Sequence, residues 1–176
     1  LQPGYVWATA PTVAGDDLAS LRTRAAPAFP PGTVLHVVSE QLPELGAEDG
    51  PDFLSLQQLG LLGDDDDPWR GGRLRCATPP ANPALAALPQ AHGITVNTAH
   101  GDDASIARLR ARLAPDVESM EGAAFMYACL TAGVPFAEVR AVSNVVERRN
   151  RAAWQLGPAI GNLTAATRRI LDSAWT

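Results

Sequence analysis

Two short polar stretches interrupt segments that are otherwise apolar, and both carry side chains able to work on a ligand. The first, residues 117–121 (VESME), ends in Glu121 at the head of a run of small apolar residues, 121–132 (EGAAFMYACLTA). A carboxylate in that place either serves the positive end of a helix or accepts hydrogen bonds from the hydroxyls of a ligand. The second, residues 142–150 (VSNVVERRN), sets Ser143 and Asn144 where an apolar strand runs out. Ser and Asn at a strand end are ordinary turn formers, so local turn chemistry is the rival to ligand binding here.

The remaining composition narrows the chemistry. All fourteen basic residues are arginine, and the absence of lysine removes a lysine nucleophile, a Schiff base and a phosphate-loop lysine. Cys76 and Cys129 are too few for a disulfide framework or a closed zinc site, and the apolar setting of Cys129 predicts a buried thiol. The four consecutive carboxylates at 64–67 point in different directions and repel one another, which predicts a solvated loop rather than a metal site.

The elements that must position these residues follow from pattern. In the N-terminal 33 residues, 5–8 read as a short strand and 16–24 as a helix started by an Asp pair. Residues 33–39 (TVLHVVS) are β-branched and predict a strand, followed by a loop with short elements over 41–63. The prolines at 79, 80, 83 and 89 predict extended or turned chain over 76–88, and strand character returns at 93–97 (GITVN). Residues 105–114 place Ile106, Leu109 and Leu113 at helical spacing and turn Arg108, Arg110 and Arg112 to solvent. The run 121–132 predicts a helix buried on most sides, with Met126 and Tyr127 in the core and Gly133 as its stop. A strand over 134–143 and a last helix over 153–172, with Leu156, Ile160, Leu163, Thr167, Ile170 and Leu171 inward, complete the chain.

Strand and helix thus alternate, which predicts an α/β sheet with helices on both faces and a ligand crevice at the carboxyl ends of strands. With no internal repeat, residues 1–176 read as one domain. The acidic balance, net charge −5 and pI about 5.1, argues against a nucleic-acid surface. No run reaches the ~18 apolar residues of a membrane span, and the first residues lack a leader pattern, so a cytoplasmic location without a membrane partner is expected.

MEGAAF at 120–125 followed by VPFAEVRAVSN at 134–144 resembles the purine nucleoside phosphorylase and nucleosidase superfamily. In that superfamily a Met-Glu pair begins a buried helix and a Ser-Asp or Ser-Asn pair ends the next strand. LGAEDG at 45–50, GITVNTAHG at 93–101, PDVESMEGAAF at 115–125 and SNVVERRNRAAWQLG at 143–157 are similar to the futalosine hydrolases, nucleosidases of menaquinone biosynthesis. The resemblance runs from about residue 31 to 171 and implies a three-layer αβα sandwich, a central mixed sheet flanked by helices. It also implies a homodimer or larger homo-oligomer in which the 45–50 loop would contribute to a neighbouring subunit's site.

The activity it implies is attack of water on C1′ of a ribose with hypoxanthine leaving futalosine, without metal or cofactor. Glu121 would hold the 2′,3′-diol and stabilise the oxocarbenium-like ribose, with Met120 against the ribose face. Asn144, beside Ser143, would donate to N7 and the 6-oxo group of the purine, which favours hypoxanthine over adenine. Asn97, Thr98, Ala99 and His100 would form the loop beside the base. Arg149, or its neighbour Arg148, would face the benzoate group of futalosine.

Residues 1–30 do not match. Where the family carries a Glu that activates the water, this chain has no Glu before Glu40, leaving Asp16 and Asp17 as the carboxylates there. Two expectations follow: a shortened member whose base lies in the missing segment, or a member that binds a nucleoside without efficient turnover. A methylthioadenosine or adenosylhomocysteine nucleosidase is the rival enzyme reading, disfavoured by Asn144 in place of Asp. A phosphorylase lacks an evident arginine-lined phosphate pocket, and a purely structural protein would leave Glu121 and Asn144 unexplained.

Overall fold

The β-branched run after Gly32 becomes the central strand of the protein. The computed structural model describes residues 29–173 and, for 6–8, the backbone of a strand. The helix expected at 16–24, with Asp16 and Asp17, lies outside the described residues. A six-stranded mixed sheet is built from β1 (Val6–Ala8), β2 (Val34–Gln41), β5 (Leu74–Arg75), β6 (Gln90–Thr95), β7 (Val117–Ser119) and β8 (Glu138–Val145), in the order β5-β2-β6-β7-β1-β8. A separate hairpin, β3 (Gly46–Asp49) with β4 (Asp52–Ser55), rises from the long loop after β2.

The sheet closes on itself. The first half of β2 pairs antiparallel with β8, from Val34 opposite Ala141 to Val37 opposite Glu138, and its second half pairs with β5. On its other side β2 runs parallel to β6, and β6 parallel to β7. Hemmed in on both edges and both faces, β2 must be apolar throughout most of its length, and Leu35 and Val37 are fully buried. A bulge falls between Val37 and Ser39. It inverts the alternation downstream, so Glu40 joins the face of Leu35 and Val37 while Ser39 turns to bond His92 at 2.8 Å.

Helices cover both faces. At the end of β6, Ile94 and the following Val96 pack with Leu109 of α2 (Asp103–Leu113), whereas Thr95 faces α3 (Gly122–Ala132) through the Ala123 N–H. The larger core gathers Leu35, Val37, Leu74, Ala91, Val117, Ala123, Met126, Phe136 and Val142. Helix α2 starts on Asp102, whose side chain accepts from the Ser105 N–H at 2.9 Å, and ends on Ala114 with φ 45 before Pro115. Helix α3 stops at Gly133, φ 62, which suits a residue without Cβ. Helix α4 (Leu156–Asp172) lies against β8 and β2.

Several sequence expectations are corrected. Residues 76–88 contain one helical turn, α1 (Pro83–Ala86), because Asn82 caps it and Pro83 takes the first helical place, where no N–H is needed. Helix α3 is not buried on most sides: Phe125 and Tyr127 are exposed, Tyr127 leaning on Trp69 rather than entering the core. On α4 the inward stripe runs through Ala159, Ala166 and Ile170, and Ile160 and Leu171 face out. The buried thiol is Cys76, which donates to Phe136 O at 3.1 Å, while Cys129 is half-buried. The acidic run is solvated as expected, with Asp66 accepting from the Gly63 N–H and Asp67 pairing with Arg70.

Candidate active site

The strand ends bring the polar stretches together. Sheet register sets Glu118 of β7 and Asn144 of β8 in one row, each opposite Trp7 of β1. Beyond β7 the chain passes Met120 and Glu121 into α3, and beyond β6 it forms the loop of Asn97, Thr98, Ala99 and His100. That loop meets the chain after β8, where Gly101 approaches Glu147 O and Arg149 N closely enough that a Cβ would lie within 4 Å of both.

Glu121 does not cap its own helix. The first N–H groups of α3 are taken by neighbours: Gly122 donates to Ser119 Oγ at 3.2 Å and Ala123 to Thr95 Oγ1 at 2.7 Å. The Glu121 carboxylate is therefore free of that duty. It stands exposed, with Arg140 Nη1 3.6 Å from its Oε2, and Met120 beside it is half exposed. A carboxylate on a helix N-terminus, steadied by a buried arginine and open to solvent, is well placed to accept ligand hydroxyls.

Ser143 and Asn144 are buried, and their side chains are locked to each other. Ser143 Oγ donates to Asn144 Oδ1 at 2.7 Å, which fixes the amide with its NH2 away from the serine. Asn144 Nδ2 gives one hydrogen to Val145 O at 3.0 Å, so one amide hydrogen is left to donate. On the neighbouring loop, Asn97 is held by Glu44, which accepts from its N–H at 3.1 Å and from Nδ2 at 2.7 Å. Arg149 is exposed and lies over Trp154, 5.4 Å from the ring centre.

Four residues of this region were not singled out by sequence. Fully buried Glu118 accepts from the His100 N–H at 2.9 Å and pairs with His100 Nδ1 at 2.6 Å, tying the base-loop candidate to β7. That hydrogen bond holds the His100 ring above the usual histidine range against the opposing effect of burial. Beneath Glu121, Glu138 receives a short bond from Arg140 Nε, and Glu40 receives one from Thr95 Oγ1 at 2.9 Å. Burial, then the nearby Glu138 charge, pushes Glu40 from 4.5 up to about 8, which leaves it protonated at neutral pH.

Two glycines make room for this buried pair. A Cβ at Gly93 or Gly122 would collide with Glu40 Oε1, and at Gly122 it would also lie 2.7 Å from Glu138 Oε1. Among the described residues no three His, Cys, Asp or Glu side chains cluster as a metal site would require, and no helix is long and apolar enough to cross a membrane. A cavity of about 350 Å³ lies elsewhere, between the β3–β4 hairpin and α2.

A model of the phosphorylase superfamily matches residues 78–172, a stretch that includes 97–100, 118–121 and 143–144. The chain belongs to the phosphorylase superfamily. Within this superfamily it is similar to the futalosine hydrolase of Streptomyces coelicolor, 35% identical over 152 residues, 82% of this chain and 60% of that one. It is also similar to the futalosine hydrolase of Acidothermus cellulolyticus, 39% identical over 139 residues, 75% of this chain and 54% of that one. The chain therefore spans somewhat more than half the length of these relatives.

Among solved structures, an S-adenosylhomocysteine nucleosidase of Streptococcus pyogenes superposes with a TM-score of 0.64 at 16% identity, over 97% of this chain and 65% of that one. The futalosine hydrolase of Helicobacter pylori gives 0.59 at 11%, over 82% of this chain and 61% of that one. These likenesses establish the superfamily's fold here: a nucleoside phosphorylase-like sandwich, its mixed sheet flanked by helices, as the family resemblance implied.

Proposed function

We propose that this chain hydrolyses the N-glycosidic bond of futalosine, releasing hypoxanthine and dehypoxanthine futalosine in menaquinone biosynthesis. The observation that carries this reading is that relatives 35–46% identical to it bear the name futalosine hydrolase. The site supports it chemically. As the bond from C1′ to the purine breaks, positive charge grows on the ribose and the bond electrons pass to the base, while water adds to C1′ and the proton it gives up ends on the departing purine, giving neutral hypoxanthine.

Glu121 accepts the 2′- and 3′-hydroxyls and its charge stabilises the oxocarbenium-like ribose, against which Met120 packs. Asn144, oriented by Ser143, donates its uncommitted amide hydrogen toward the purine N7 and 6-oxo edge, supporting hypoxanthine as the leaving base. The loop of Asn97, Thr98, Ala99 and His100 lies beside the base, held by Glu44 and Glu118. Exposed Phe125 and Tyr127 on α3 support a homodimer or larger assembly, and the two free thiols suit the cytoplasm.

The test is incubation of the purified chain with futalosine and, separately, with methylthioadenosine, with free hypoxanthine and adenine quantified by chromatography. Hypoxanthine alone is the expected result. Adenine alone would overturn the reading in favour of an adenosyl nucleosidase. Thermal stabilisation by futalosine with no base released would make the chain a nucleoside binder.

A further inference from the structure

The cavity between the hairpin and α2 is edged by an exposed cation. Arg112, at the end of α2, lays its guanidinium over the ring of Phe53, 3.9 Å from the centroid, and donates from Nη2 to Pro43 O at 2.7 Å. It has no carboxylate partner among the described residues, and partial burial draws its guanidinium below the usual range. A guanidinium has five N–H donors, so most of its hydrogen-bonding capacity is uncommitted. Gln57 lines the same cavity with a buried Nε2 that has no acceptor.

The walls are aromatic and aliphatic, with Phe53, Trp69 and Leu113 among them, and the acidic lining residue, Asp64, is exposed to solvent. The volume, about 350 Å³, is in the range of small-molecule pockets. A flat apolar body bearing one negative group matches these features: its ring packs on the walls and its carboxylate meets the Arg112 fork. Inorganic phosphate or an aliphatic acid would leave the aromatic walls unused.

The cavity also adjoins the candidate site. Pro43 and Leu45 line it on either side of Glu44, the residue that holds Asn97 by backbone and side chain. The charge of Arg112 is felt at His100, two residues beyond Thr98 in the same loop.

We propose that this cavity is a subsite for an aromatic carboxylate, with Arg112 as its anion partner and Phe53 and Trp69 as its walls. Resting on the reading of the chain as a futalosine hydrolase, it assigns the benzoate end of the substrate to Arg112 instead of Arg149.

The binding test uses 3-acetylbenzoate and the neutral acetophenone, titrated into the full chain and followed by the NMR shifts of the Trp69 indole and Arg112 side chain. The benzoate should bind and acetophenone should bind on the order of 30-fold more weakly, the usual scale for one charge-assisted pair. Arg112→Gln should abolish that preference, and Arg112→Lys should retain part of it because the charge survives without the planar fork. Circular dichroism of both variants checks that they fold.

The kinetic test compares futalosine with inosine, which lacks the aryl carboxylate. Arg112→Gln should raise KM for futalosine about 30-fold and leave inosine unchanged. Equal binding of the two probes, no binding of either, or weakening by Arg149→Gln instead of Arg112→Gln would overturn the subsite. Benzoate binding lost on Arg112→Gln in a chain that hydrolyses neither nucleoside would uphold the subsite and remove the hydrolase reading.

Discussion

Glu118 holds His100 twice, through its backbone N–H at 2.9 Å and its ring Nδ1 at 2.6 Å. The carboxylate is fully buried in β7, so the loop beyond β6 is fastened to the next strand. Because the hydrogen bond raises the His100 pKa, its stabilising effect is complete below the unfolded value of about 6.5 and is lost as pH rises through the folded value. Glu118→Gln should lower the His100 pKa and loosen the loop. An NMR titration of the His100 ring reads this directly, and an unmoved midpoint would refute the assignment.

Glu40 gives the opposite pH signature. Its folded pKa of about 8 lies above the usual 4.5, so the folded chain holds a proton that the unfolded chain releases, and stability falls as pH rises between those values. Glu40→Gln should flatten that fall, by on the order of 3 kcal/mol across the window. Urea unfolding of parent and variant at several pH values between about 5 and 8 is the measurement. Parallel curves would mean that Glu40 is ionised in the fold.

The buried Glu138–Arg140 pair predicts strong non-additivity. Arg140→Met would strand the Glu138 carboxylate and cost about 3–5 kcal/mol, whereas Glu138→Met combined with Arg140→Met should recover most of the loss. The double variant should still impair ligand binding, because Glu121 loses the arginine that lies 3.6 Å from its carboxylate. Denaturant midpoints separate the first effect, and nucleoside affinity at full folding separates the second.

Asn144→Asp tests how the base is read. Ser143 can donate to either side chain, so the position of the group should survive, but an ionised carboxylate repels a 6-oxo group and accepts from a 6-amino group. The ratio of hypoxanthine to adenine released from matched 6-oxo and 6-amino nucleosides should fall at least ~10-fold. An unchanged ratio would show that Asn144 does not set the preference.

Much of the frame was legible, for reasons visible in particular residues. The β-branched run of β2 and the helical spacing of Ile106, Leu109 and Leu113 on α2 are local signals, and both elements form within two residues of where the pattern put them, whereas the Asp102 cap that starts α2 was not singled out. The exposure of α3 was not legible, because a helix of small apolar residues all round has no polar face to mark its outside. Its partner surface is decided by β2, β5 and β6, which are remote in sequence.

At the site, residues 118–121 and 143–144 were marked by polarity inside apolar text, but the split of labour between Glu118 and Glu121 was not. Burial separates the two carboxylates, and burial follows from register. Glu40 escaped notice because simple alternation puts it opposite Val37, and the bulge between Val37 and Ser39 reverses that. Arg112 is exposed, as its place on the solvated face of α2 suggested, but its contact with Phe53, far off in sequence, was not legible.

The double pairing of β2 sets an order on synthesis. A nascent chain presents β2 early, yet the strand that completes its first half, β8, follows about 100 residues later, a long loop to close. Until then Leu35 and Val37 sit on an edge with no neighbour, open to pairing with another chain. A ribosome stalled ahead of Glu138 would therefore release a sheet that cannot close, and yield in the cell should respond more to translation speed and chaperone supply over that interval than to changes at the site itself.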